Sequence, residues 1–134
     1  MRKAFLAAGF DLTPEQWGVL TRLKNNEGMN QNQLAERTLK DRHNINRILN
    51  LLEKRRYIVR CSDASDKRAH RIFLTESGKM IQENSTLIFM DHLRKRFKNL
   101  GAKDLAALRR ILEQISKNIK EIDSATLTGI KTKK

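Results

Sequence analysis

The chain has 134 residues, enough for one domain with a real core, and carries 28 Lys and Arg against 15 Asp and Glu, a formal charge of +13. Such an excess of cations attracts phosphate, and the sequence pI near 10.4 passes the value of about 9 that marks nucleic-acid-binding domains, although charge alone fits a merely soluble basic surface equally well. No apolar run approaches the ~20 residues of a bilayer-crossing helix, the stretch Phe5 to Ala8 is too short for a secretory signal, and the single cysteine, Cys61, leaves no internal disulfide and suits a reducing cytosol.

Residues 1 to 10 read as a short apolar-basic helix or the end of one, so residues upstream are expected to be missing or supplied by a partner. The first firm signal follows. Thr13 can N-cap a helix, Pro14 fits its first turn, Gln16 can close a capping box, and Leu12 and Trp17 occupy the hydrophobic-staple positions. Trp17, Leu20 and Leu23 form its apolar face, and Gly28 ends it. The pattern repeats with Asn30 as cap, Gln33 as box partner and Met29 with Leu34 as staple, giving a short helix over about Gln31 to Arg37.

Asp41 caps a third helix reaching Arg56. Its inward face is Ile45, Ile48, Leu49 and Leu52; its outward face is Arg42, His43, Asn44, Asn46, Arg47 and Asn50. Three helices of this order, the middle one short, form a helix-turn-helix core. Tyr57 to Cys61 then reads as a strand, Ser62 to Ala69 as a charged loop, and Ile72 and Leu74 as a returning strand, which together make a β-hairpin. Thr75 caps a helix running to about Asn99, with apolar positions at Met80, Ile81, Leu87, Ile88, Met90, Leu93 and Phe97. A last helix starts near Ala102 with a broad stripe of Leu105, Leu108, Ile111, Leu112, Ile115, Ile119 and Ile122. The stripe either covers the monomer's own core or forms a two-fold helical interface. The residues from Asp123 to Lys134 read as a polar, fraying tail. The expected fold is mainly α with a small β-hairpin wing: a winged helix-turn-helix lobe over 12–78, helical dimerisation regions over 1–11 and 79–122, and a tail over 123–134.

A polar helix followed by a cationic hairpin can grip duplex DNA. The outward face of the third helix fits a major groove, where Asn pairs bidentately with adenine and Arg with guanine. Arg68 at the hairpin tip can enter a narrow minor groove, with Lys67 and Arg71 on phosphates. Gln31 and Asn32, at a helix N-terminus, can donate to phosphate. Arg60 can do the same or cap the preceding helix. A solvated helix face and an exposed surface pair remain the plainer alternatives.

The chain resembles the MarR family (multiple antibiotic resistance regulators). The resemblance rests on Leu12-Thr13-Pro14-Glu15-Gln16-Trp17, Gln33-Leu34-Ala35-Glu36, Leu52-Glu53-Lys54 through Tyr57-Ile58-Val59-Arg60, Asp66-x-Arg68 and Ile72-x-Leu74-Thr75-x-x-Gly78. Each piece is weak alone; the ordered set is strong. Arg56 stands where the family usually has Gly, and the first helix is shorter than the family norm. The resemblance implies a homodimeric, sequence-specific double-stranded DNA-binding regulator of bacteria or archaea, mostly repressors, located in the cytoplasm at the nucleoid. It implies a pseudo-palindromic operator, base contacts from Asn44 and Asn46, Arg47 on a base or phosphate, and an ion pair from Asp66 that orients Arg68. It also implies a small effector, often an anionic aromatic, between the DNA-binding lobe and the dimer helices.

Other chemistry finds little in the sequence. There is no Gly-rich phosphate loop, no His-Glu-x-x-His pattern and no carboxylate cluster for a nuclease metal, so neither enzyme activity nor a cofactor is expected. His43, His70 and His92 lack close metal-ligand spacing. Cys61 is not where sensing cysteines of the resembled family lie. The alternative in a different class is a winged-helix module that binds protein instead of DNA.

Overall fold

The computed structural model describes residues 1–66 and 69–130, with side chains through residue 123. The chain order is α1 (Arg2–Ala7), α2 (Pro14–Asn25), β1 (Met29–Asn30), α3 (Gln31–Thr38), α4 (Arg42–Lys54), β2 (Ile58–Ser62), β3 (His70–Leu74), α5 (Glu76–Arg96) and α6 (Ala102–Ile130). Two compact units result, Met1–Arg96 and a second beginning at Phe97. The fold is mainly helical with one small antiparallel sheet.

Local chemistry starts α2, α3 and α4. Thr13 Oγ1 accepts from the Gln16 amide at 3.1 Å while Gln16 Oε1 accepts from the Thr13 amide at 3.1 Å, so two otherwise orphaned donors are satisfied reciprocally. Asn30 and Gln33 repeat the arrangement at 2.9 and 3.0 Å. Asp41 Oδ1 accepts from the Asn44 amide at 2.8 Å. Left-handed residues end α3 and α4: Leu39 at φ 53° and Arg56 at φ 60°. The amide after each of them reaches back five residues, Lys40 to Ala35 O and Tyr57 to Leu52 O.

The core of this unit lies where α2, α3 and α4 meet the sheet. Leu20, Leu23, Leu34, Ile45, Leu49, Leu52, Ile58 and Ile72 are all buried there, each contributing about 1.5–3 kcal/mol by leaving water. α5 joins through its Ile81, Ile88 and Phe89 face. Trp17 stacks on Phe89 with ring centroids 4.1 Å apart and donates Nε1–H to Thr86 Oγ1 at 3.1 Å, fixing α5 against α2. Met80, Leu87 and Met90, on the rest of α5, are exposed, as are all seven apolar residues of the α6 stripe.

Several boundaries differ from the sequence expectation. α4 stops at Lys54 because the αL backbone at Arg56 cannot continue it. β2 begins and ends one residue later than Tyr57 to Cys61. α5 stops at Arg96, and a turn with Asn99 at φ 69° follows. The expected hairpin is a three-stranded sheet in the order β1-β3-β2, with Met29 opposite Ile72, and Ile58 opposite Leu74. Helix α6 continues to Ile130, through most of the segment expected to fray.

Candidate nucleic-acid interface

α4 is the centre of the site. Ile45, Ile48, Leu49 and Leu52 point into the core. That leaves Arg42, His43, Asn46, Arg47 and Asn50 exposed, with Asn44 half-buried beside its cap. The i, i+3, i+4 burial rhythm is what turns the other residues outward together. The Asn44 amide holds the Asp41 carboxyl below its usual range, because that hydrogen bond favours the anion. The capping charge lies at the positive end of the helix dipole.

Ion pairs tie α4 to its neighbours at both ends and on one flank. Before its N-terminus, Lys40 Nζ meets Glu15 Oε1 of α2 at 2.7 Å, and this contact lowers the Glu15 pKa. Past its C-terminus, Arg55 Nη2 meets Asp11 Oδ2 at 2.9 Å. On the flank, Arg60 of β2 places Nη1 2.6 Å from Glu53 Oε2 and donates from Nη2 to Asn50 Oδ1 at 2.9 Å and Asn46 Oδ1 at 3.3 Å. In each pair the carboxylate is exposed although the cation is partly buried, so the pair adds little stability and its consequence is orientation.

The hairpin is shaped by its own polar contacts. Asp63 Oδ1 accepts from the Ser65 hydroxyl at 2.7 Å and the Ser65 amide at 2.9 Å, and Oδ2 accepts from Arg71 Nε at 2.7 Å. The Ser65 contacts first, and the Arg71 guanidinium after them, hold the Asp63 carboxyl well below the usual carboxylate range. The Ala69 amide closes the turn on Asp66 O at 2.9 Å, and the Asp63 amide on Ala69 O at 3.0 Å.

Between α3, α4 and the hairpin lies an open cleft of about 670 Å³. Gln31, Asn32, Arg42, Asn46, Arg60 and Asp66 line it, with β3 as its floor. The fold therefore brings six of the expected residues around one concavity. His43, Arg47 and Asn50 lie on α4 outside its lining, and Arg71 is turned to Asp63 and to Gly28 O. Gln31 Nε2 donates to Arg42 O at 3.3 Å, linking α3 to the start of α4. The expected contacts of Lys67 and Arg68, including the Asp66–Arg68 pair, fall outside the described residues.

Residues 10–69 match the family model described as the MarR family. The relative SarZ, an HTH-type transcriptional regulator of Staphylococcus aureus, is 38% identical over 73 residues, which cover 54% of this chain and 49% of SarZ. Over these residues the chain is similar to the MarR family. Two solved structures are similar over more of the chain than the family model matches. The transcriptional repressor CouR, bound to a 23-mer DNA duplex, superposes with TM-score 0.78 at 29% identity over 86% of this chain and 80% of its own. A MarR transcriptional regulator from Methanosarcina mazei Go1 gives TM-score 0.76 at 26% identity over 90% and 85%. The chain spans about half the length of the curated relatives it matches.

The sequence does not point to Glu53, Asp63, Asp11 or Glu15 as partners of the interface. Each is an acid that fixes a cation from another element or from across the hairpin. Spacing along the chain carries no signal for such pairs. No group of three or more His, Cys, Asp or Glu is placed to hold a metal ion among the described residues. No described helix is long and apolar enough to cross a membrane.

Proposed function

We propose that the protein is a sequence-specific double-stranded DNA-binding transcription regulator acting as a homodimer, and a repressor. The observation that carries this reading is the convergence of the polar face of α4, the N-terminus of α3 and the hairpin on one open cleft. In this reading α4 enters a major groove and Arg68 of the hairpin enters the neighbouring minor groove. Gln31 and Asn32 meet phosphate through side-chain amides and free backbone N–H groups of α3. The exposed α6 stripe supplies the two-fold interface, so that two copies of α4 fall one duplex turn apart, about 34 Å.

A small aromatic effector is proposed for a second cleft, of about 330 Å³, lined by Phe10, Asp11, Tyr57, Ser77, Met80 and Ile81. Tyr57 directly follows the turn that ends α4, so a ligand there would act on the setting of the recognition helix. Its effect on DNA affinity equals the difference in its own affinity for the two settings.

Fluorescence anisotropy with a genomic-fragment duplex, repeated over increasing salt, tests the reading. Neutralising several phosphates predicts an affinity that falls steeply and linearly on a log–log plot. A flat salt dependence would return the chain to the protein-binding class. Arg68→Ala is expected to weaken binding without unfolding the lobe.

A further inference from the structure

We propose that Arg60 decides which bases the recognition helix accepts, by turning the amides of Asn46 and Asn50 so that they offer the duplex only N–H donors. The inference rests on the DNA-binding reading and goes beyond it to the chemistry of the base edges.

The geometry fixes the amides without ambiguity. A guanidinium has five donors and no acceptor. The Asn50 atom 2.9 Å from Arg60 Nη2, and the Asn46 atom 3.3 Å from it, must therefore be the carbonyl oxygens. One nitrogen serves both because Asn46 and Asn50 are one helical turn apart on one face. The guanidinium is itself held by Glu53 at 2.6 Å on Nη1, and the Arg60 side chain is only 20% exposed. Asn44 is arranged in the same sense, its Oδ1 accepting from Arg47 Nη2 at 3.2 Å. The Nδ2 groups of all three asparagines have no protein partner among the described hydrogen bonds, and Asn46 and Asn50 are exposed.

The consequence differs from ordinary Asn readout. Bidentate pairing with adenine needs the amide oxygen for the N6 amine and the NH2 group for N7. With the oxygens turned to the wing, that pairing is lost. The remaining donors match guanine O6 and N7 and thymine O4; adenine keeps its N7 acceptor but opposes a donor at N6, and the cytosine amine opposes one likewise. Arg60 is thus a positioning residue: it selects the base class through the asparagines without touching a base.

Selection from a randomised duplex library with the full chain tests this. The positions read by Asn46 and Asn50 are those whose enrichment disappears in Asn46→Ala and Asn50→Ala. At these positions the wild type is expected to select guanine or thymine over adenine by about tenfold or more. Arg60→Met should release the amides and admit adenine there. Asn46→Asp keeps the oxygen for Arg60 and replaces the donor by an acceptor, so its preference should move to cytosine; this arm decides the matter if Arg60→Met does not fold. Wild-type enrichment of adenine at those positions, a folded Arg60→Met that still excludes adenine, or Asn46→Asp retaining guanine or thymine overturns the proposal and leaves DNA binding intact. No enriched sequence at all overturns DNA recognition and the proposal together.

Discussion

Gly78, in the first turn of α5, lies against the backbone of Tyr57, and a β-carbon at position 78 would overlap the Tyr57 carbonyl oxygen. That oxygen is already engaged, accepting from the Thr75 amide at 3.0 Å. Thr75 Oγ1 in turn accepts from the Gly78 amide at 3.0 Å, and both Thr75 and Ser77 donate their hydroxyls to Arg56 O, at 2.6 and 2.9 Å. Five residues thus clamp the turn after α4 to the start of α5. The obstacle is backbone, which cannot swing aside as a side chain would.

Gly78→Ala is therefore expected to destabilise the lobe by about 1–3 kcal/mol or more, the range of overpacking, toward its upper end because the neighbour is backbone. Urea denaturation followed by circular dichroism reads this directly. A midpoint within error of wild type would show that the clamp can open without cost.

Arg56 makes the opposite prediction. It is left-handed at φ 60°, where a residue with a β-carbon pays and glycine does not. Its recorded contacts at this turn are made through the backbone: the amide donates to Glu53 O at 2.8 Å and the carbonyl takes the Thr75 and Ser77 hydroxyls. Arg56→Gly keeps all of them. It is expected to stabilise the lobe by about 0.5–1 kcal/mol, the strain relief less the extra freedom glycine gains when unfolded. The same denaturation curve measures it.

Asp41 links stability to pH at the start of α4. The Asn44 amide lowers its pKa in the folded state. A lowered folded pKa means the unfolded chain takes up the proton first. Its contribution is then complete above the unfolded value of about 3.9 and is lost as pH falls through the folded one. Asp41→Asn keeps a good cap with no titrating group. It is expected to remove part of the acid-side loss of stability between pH 5 and pH 2 while changing little at pH 7. Asp41→Ala should lower stability at pH 7 as well. Thermal melts across that range separate the two variants.

The lobe was legible wherever its physics is local. The caps at Thr13, Asn30 and Asp41 each involve residues three apart, and the buried face of α4 repeats at helical spacing. Sequence patterns carry such signals directly. β1 was not legible because two residues, Met29 and Asn30, are too few to alternate and exist as a strand only by pairing with Ile72 and Arg71. Arg60 read as a phosphate contact or a cap because its charge was visible and Glu53, Asn46 and Asn50 were not visible as its partners. Arg71 read as a phosphate contact for the same reason, Asp63 being its partner across the hairpin. The continuation of α6 past Asp123 shows that polar composition alone does not stop a helix where no proline intervenes.

The α6 stripe yields the last prediction. Leu108, Ile111, Ile115 and Ile119 are 40–53% exposed on a helix of 29 residues. Apolar surface repeated over so many turns favours association, because burying each such side chain returns roughly 1.5–3 kcal/mol when complete. An Ile115→Arg charge at the middle of the stripe would have to be desolvated in any symmetric pairing and would face its own copy across the two-fold axis. If the proposed homodimer forms through this stripe, the variant is expected to sediment as a monomer at concentrations where the wild type sediments as a dimer. The lobe should keep its thermal transition, since residues 1–96 form a compact unit of their own. Operator affinity should then fall by about tenfold or more, because each half-site must be bound without the effective concentration that a linked second copy supplies. A variant that remains dimeric would assign the interface to other residues, the exposed Met80, Leu87 and Met90 of α5 being the next to replace.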